Sequence, residues 1–63
     1  MDKDALYEIF RKAMYDEYAA HEFYLKAAAD TSNKEAKELF TRFAAIELGH
    51  RMELEKLYRT LRP

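Results

Sequence analysis

The stretch Asp-Thr-Ser-Asn at residues 30–33 decides the fold, because it is the one break in a chain that otherwise favours helix. Side chains of these types compete with a helix for backbone hydrogen bonds, and Ser32 with Glu35 fits a capping box. Elsewhere Ala, Leu, Glu, Lys, Arg and Met predominate, with one glycine and one proline. We therefore predict an all-α chain with helices over about 3–30 and about 33–61, joined by a turn at 30–33.

Two helices joined by so short a turn lie antiparallel, as a hairpin. We expect residues 1–63 to form a single domain, without a linker or low-complexity segment. A chain of 63 residues buries little surface by itself and usually needs disulfides, a metal ion or a partner chain. The absence of cysteine excludes disulfides and thiolate-ligated metals, so a metal or a second chain is left.

Charge and hydropathy exclude other classes of protein. The net charge of −1, from 11 basic and 12 acidic residues, gives no electrostatic footprint for nucleic acid or an anionic membrane. The apolar runs are too short for a transmembrane span, and the acidic N-terminus does not resemble a signal peptide. We expect a cytoplasmic protein, since nothing in the sequence directs it elsewhere.

Each predicted helix carries one apolar stripe, with residues spaced alternately by three and four. The apolar members are Leu6, Phe10, Ala13, Ala20, Tyr24 and Ala27, then Ala36, Phe40, Phe43, Leu54, Leu57 and Leu61; Ile9, Met14, Phe23, Leu39 and Ile46 widen the two stripes. The polar members are Glu17, Glu47 and His50. Counted from the turn, Glu17 and Glu47 differ in height by only ~1.5 Å, and His50 follows Glu47 by one turn.

Two glutamates and one histidine at one level of an apolar core predict a metal site. A buried carboxylate is costly unless it is paired, protonated or metal-bound, and neither stripe contains Lys or Arg. Dimerisation of the hairpin into a four-helix bundle would collect four glutamates and two histidines around two divalent ions. The alternative is that Glu17, Glu47 and His50 form a polar cluster that only fixes helix register.

The residues around this cluster resemble the rubrerythrin and ferritin-like superfamily over about residues 5–58. The segments that carry the resemblance are EYAAHEFY at 17–24, KELF at 37–40 and AAIELGH at 44–50. The positions that match the family pattern are Glu17, Ala20, Tyr24, Glu47 and His50. Family members usually contain this pattern twice in four helices, whereas this chain has one copy, so it looks like a half-domain similar to the two-helix units of encapsulated ferritins.

The resemblance implies a ferritin-like bundle with a dinuclear iron site, two ions per dimer, in which Glu17, Glu47 and His50 are the metal ligands and catalytic residues. Manganese or zinc are substitutes that suit such ligands. The implied chemistry is oxidation of Fe(II) by oxygen or peroxide, in a homodimer or a higher assembly of dimers. A peroxidase cycle would need an external electron donor, because no rubredoxin-like module follows. A metal-binding bundle without turnover, natural or designed, and a purely structural helical dimer remain alternatives.

Further predictions concern residues beside the stripe. Glu53, one turn beyond His50, is a candidate further ligand, although a solvated helix face is its more usual environment. We expect His21 on the surface, with a position supporting the metal ligands as the alternative. We expect Tyr24 in the packing, with a hydrogen bond to a ligand carboxylate as the alternative, and Gly49 as an aid to close helix approach. Three residues are predicted to face away from the first stripe, either as a further oligomer contact or as scattered apolar surface, namely Tyr15, Tyr18 and Leu25. Glu22 is off the stripe by its period and is expected to be exposed.

Overall fold

The computed structural model describes residues 1–62, and these form two antiparallel helices packed side by side. Helix α1 spans Lys3–Asp30 and helix α2 spans Lys34–Leu61. The hairpin is a rod of about 47 × 15 × 14 Å. The predicted all-α hairpin is therefore confirmed, and the described residues contain no strand.

Both helices begin at side chains that accept hydrogen bonds from unsatisfied backbone N–H groups. Asp2 accepts from the Ala5 amide and Asn33 from the Ala36 amide, each at 2.8 Å. The capping box expected at Ser32 is wrong, because Asn33 is the N-cap residue. The Thr31 hydroxyl accepts from the Asn33 amide at 3.1 Å, so the turn is already fixed by a side chain and α2 starts one residue later.

One flank of the interface between the helices, which we call the closed flank, is held together by contacts between the beginning of α1 and the end of α2. The Tyr7 hydroxyl donates to the Leu61 carbonyl at 2.9 Å, and Arg11 donates to the Tyr58 hydroxyl at 3.0 Å. The Tyr58 ring also lies against Tyr7 and Phe10, with ring centroids 5.8 Å apart in both pairs. These contacts fasten the ends of α1 and α2 that lie farthest from the turn.

The opposite flank, which we call the open flank, leaves apolar side chains in solvent. Ile9, Phe23, Ile46 and Leu57 are 52%, 66%, 45% and 50% exposed, although the sequence places them on or beside the apolar stripes. Among residues 1–62 only Phe10, Ala28 and Ala44 are buried hydrophobic residues. A single hairpin therefore covers only part of the apolar surface that its sequence provides.

Neither α1 nor α2, within the described residues, combines the length and the apolar character that crossing a membrane requires. This agrees with the charged residues distributed along both helices.

Candidate metal centre

The structure brings together the three polar side chains of the stripes near the middle of the hairpin. Glu17 lies on α1, and Glu47 and His50 lie one turn apart on α2. Each offers a ligand atom, and these atoms lie within 4.8 Å of one another. His50 Nδ1 is 3.4 Å from Glu17 Oε2 and 3.8 Å from Glu47 Oε1. The cluster occupies one level of the rod, as the spacing from the turn predicts.

The cluster lacks a hydrogen-bond partner for one carboxylate oxygen and positive charge for its two carboxylates. Glu17 Oε2 is buried and has no hydrogen-bond partner, although a carboxylate oxygen in this position normally accepts at least one hydrogen bond. Within residues 1–62, the ion pairs of Glu17 and Glu47 are made with His50 and with no lysine or arginine. One imidazole carries at most one positive charge, so two ionised carboxylates are not neutralised by this hairpin.

The proximity of the two carboxyl groups shifts the acidity of one of them. Hydrogen bonding with Glu17 raises the pKa of Glu47 above the ordinary glutamate value, and burial and the negative charge of Glu17 act in the same direction. The charge of His50 opposes the rise. A divalent cation would relieve the same repulsion that a proton on Glu47 relieves.

The cluster opens into a groove on the open flank. The groove has a volume of about 400 Å³, and its lining residues are Phe10, Glu17, His50, Glu53, Leu54 and Leu57. The His50 side chain is 51% exposed, whereas those of Glu17 and Glu47 are 26% and 25% exposed. The site is thus recessed between the helices on one side and accessible on the other.

Two carboxylates and an imidazole are the donor set of hard and borderline divalent ions such as iron, manganese and zinc. The orphaned Glu17 Oε2 and the ligand atoms within 4.8 Å of one another fit a metal ion. Three ligands also leave coordination positions free on the groove side. Glu53 is exposed and lines the groove, but it does not belong to the converging cluster.

The expectation that His21 lies on the surface is wrong. The His21 side chain is half-buried on the closed flank, and its Nδ1 lies 2.7 Å from the Ala44 carbonyl oxygen. A heptad column of half-buried and buried residues runs beside the main stripe of α1, and its members are Tyr7, Met14, His21 and Ala28. The apolar residues of this column are the signal that could have placed His21 at the interface.

The other flanking residues have simpler environments. Tyr24 packs as predicted, stacked on Phe40 at a centroid distance of 6.1 Å and edge-on to Phe43 at 5.4 Å. A Cβ atom at Gly49 would meet nothing within 4 Å, so Gly49 does not serve a close approach of α1 and α2. Four residues predicted off the first stripe are exposed, namely Tyr15, Tyr18, Glu22 and Leu25. Tyr18 does not face away from α2, however, because the Arg51 guanidinium lies over its ring, 4.9 Å from the centroid.

A model of a known protein family matches nearly the whole chain. The family model described as Rubrerythrin matches residues 4–63, a range that contains Glu17, Glu47 and His50. Comparisons with curated proteins and with solved structures give no match.

Proposed function

Because this chain belongs to the rubrerythrin family, we propose that it forms a dinuclear iron site between two copies of the hairpin and oxidises Fe(II) with oxygen or peroxide. The observation that carries the proposal is the convergence of Glu17, Glu47 and His50, with a buried carboxylate oxygen that has no hydrogen-bond partner. A purely structural polar cluster would be expected to satisfy its own hydrogen bonds.

The ligands of the proposed site come equally from both copies. Glu17, Glu47 and His50 of each hairpin supply two carboxylates and one imidazole, so two hairpins supply four carboxylates and two imidazoles. Two divalent cations balance the four negative charges. The oxygen-rich ligand set favours iron or manganese, and zinc is a substitute with similar ligand preferences.

The open flank is the surface on which we place the second copy. It combines the groove beside the ligands with the exposed apolar side chains of Ile9, Phe23, Ile46 and Leu57. Several large apolar side chains exposed on one flank favour an interaction site there. The closed flank is already occupied by the contacts of Tyr58 and by the bond between His21 and Ala44. A second copy docked on the open flank would both cover the exposed apolar side chains and supply the remaining metal ligands.

Glu17, Glu47 and His50 of both copies would hold two Fe(II) ions, which would supply the two electrons that, with two protons, convert one hydrogen peroxide to two waters. The chain's own residues bind the ions, and Glu47, whose pKa is raised, is suited to hold a proton beside them. The apolar walls formed by Phe10, Leu54 and Leu57 would restrict water, while the groove remains wide enough for a small oxidant. Repeated turnover with peroxide requires an electron donor from outside the chain.

The activity is tested by mixing the anaerobic Fe(II) protein with oxygen or peroxide and following the absorbance of ferric iron. We expect oxidation faster than that of the same concentration of free Fe(II), with two Fe(II) consumed per peroxide and two ions per dimer by metal analysis. Binding of two ions without accelerated oxidation would contradict the oxidase activity and favour a metal-binding bundle without turnover. Protein that binds no ions at all would contradict the metal site itself.

The dimer is tested by sedimentation of two variants, one with a new charge on the open flank and one with a new charge on the outer face of α1. Leu57→Glu puts a carboxylate on the open flank, and we expect it to weaken dimerisation by about a hundredfold or more, because an unpaired charge is buried in an apolar interface. Tyr15→Glu is the matched control, since Tyr15 is 74% exposed on the outer face of α1. We expect this control to remain dimeric. A folded monomer of the unmodified chain at micromolar concentration would contradict the shared site.

A further inference from the structure

We infer that His21 is a positioning residue, which fixes the height of Glu17 on α1 relative to Glu47 and His50 on α2. The inference rests on the proposed metal function and assigns a role to a side chain outside the ligand cluster. His21 lies one turn beyond Glu17 on α1, and its hydrogen-bond partner, the Ala44 carbonyl, lies one turn before Glu47 on α2.

The hydrogen bond of His21 joins the helices one turn from the ligand cluster, and the Arg51 guanidinium, which lies 4.9 Å from the centroid of the Tyr18 ring, makes a second contact between them nearby. Within residues 1–62, three residues outside the ligand cluster make side-chain hydrogen bonds between α1 and α2, namely Tyr7, Arg11 and His21. The two made by Tyr7 and Arg11 are exposed and lie towards the helix ends, with Tyr7 about 15 Å from Glu17 along the axis. The bond from His21 is partly buried and measures 2.7 Å.

The stripe residues next to Glu17 on α1 are small. The inward-facing residues on either side of Glu17 are Ala13 and Ala20, and the facing Ala44 is only 1% exposed. Alanine side chains provide small knobs, so they resist an axial shift of one helix along the other less than large interlocking residues do. A polar bond at Ala44 therefore controls the separation of ligand atoms that must converge on one ion.

The geometry also fixes the tautomer. A carbonyl oxygen only accepts hydrogen bonds, so Nδ1 of His21 carries the hydrogen and the neutral ring is the Nδ1–H tautomer. Asparagine places its amide nitrogen as many bonds from Cα as Nδ1, whereas glutamine places its amide nitrogen as far out as Nε2. Asparagine should therefore replace His21 better than glutamine does.

The test measures Co(II) affinity of the full chain from the visible absorption of the bound ion. We expect His21→Leu and His21→Gln to bind Co(II) about tenfold more weakly than the unmodified chain, and His21→Asn to recover most of the affinity. Tyr7→Phe is the control, because it removes a hydrogen bond of 2.9 Å between the same helices far from the site. It should lower the melting temperature but leave Co(II) affinity unchanged.

A measurement on the metal-free chain tests the hydrogen bond of His21 independently of metal binding. Long-range 1H–15N spectra of the unmodified chain at pH 8 should show the Nδ1–H tautomer of His21. The Nε2–H tautomer, or equal Co(II) affinity in His21→Leu and the unmodified chain, would overturn the inference while leaving the metal site in place. Failure of the unmodified chain to bind Co(II) would instead contradict the proposed function and remove the positioning role with it.

Discussion

Replacing Glu17, Glu47 or His50 by alanine is expected to abolish the binding of two metal ions per dimer while the helices remain folded. Each substitution removes one of three converging ligands from every copy, so a symmetric dimer loses two of its six. Loss of a residue that only supports a ligand lowers metal affinity by up to about a hundredfold. Loss of a ligand itself should therefore lower the affinity by at least about a hundredfold. Metal analysis and circular dichroism of the purified variants measure the two parts of this prediction.

Glu22→Ala is the matched control for the glutamate variants. Glu22 is an exposed glutamate on the same helix as Glu17, so its removal changes the net charge equally without touching the cluster. This control should retain two ions per dimer. Glu17→Ala should also be at least as heat-stable as the metal-free parent, because it removes a partly buried carboxylate from beside Glu47. A Glu17→Ala protein that retains both ions would show that α1 contributes no ligand.

Removal of the metal is expected to lower the thermal stability of the protein substantially. A ligand that binds only the folded state adds about 2.7 kcal/mol to the free energy of unfolding at a hundredfold excess over Kd. For a domain of this length, such a loss corresponds to a fall in melting temperature of roughly 10–20 °C. Calorimetry before and after chelation measures this fall. The melting temperature of Glu17→Ala should not change on chelation. An unchanged melting temperature after the metal is stripped would contradict the coupling of metal binding to folding.

The stabilisation by metal should also depend on pH in a defined direction. Because the pKa of Glu47 is raised in the folded chain, the metal-free folded state binds protons more readily than the unfolded state does. Its free energy of unfolding should therefore fall as pH rises from the ordinary glutamate pKa through the raised value. Metal requires the ionised carboxylate, so the gain in melting temperature on metal addition should be largest near neutral pH and shrink in acid. An equal gain across this range would show that metal binding does not displace a proton from the cluster.

The convergence of Glu17, Glu47 and His50 could be predicted because it depends on helical geometry alone. A constant rise per residue and a turn at residues 30–33 place the two glutamates at one height. The three-residue spacing from Glu47 places His50 on the same face. No property of neighbouring side chains enters this calculation, apart from the assumption that the apolar stripes face each other.

The start of α2 and the environment of His21 could not be predicted in this way. Ser32 and Asn33 are both good capping residues, and the choice between them depends on the hydrogen bond from the Asn33 amide to Thr31. His21 lies beside the stripe, where a residue is either exposed or buried according to how α2 is rotated about its axis. In the structure, α2 is rotated so that the Ala44 carbonyl oxygen lies within hydrogen-bond distance of His21.

The sequence by itself determined the two helices, their antiparallel arrangement, their apolar stripes and the level of the polar cluster. These follow from residue type and periodicity, which are local properties of each helix. The tertiary structure decided which flank of the hairpin is closed by Tyr58 and His21, and which leaves His50 and Leu57 exposed. It also decided that Glu17 Oε2 is buried without a partner and that Glu47 has a raised pKa. Periodicity gives a side chain's direction from its own helix axis, whereas burial and pairing depend on the atoms that the other helix places opposite it.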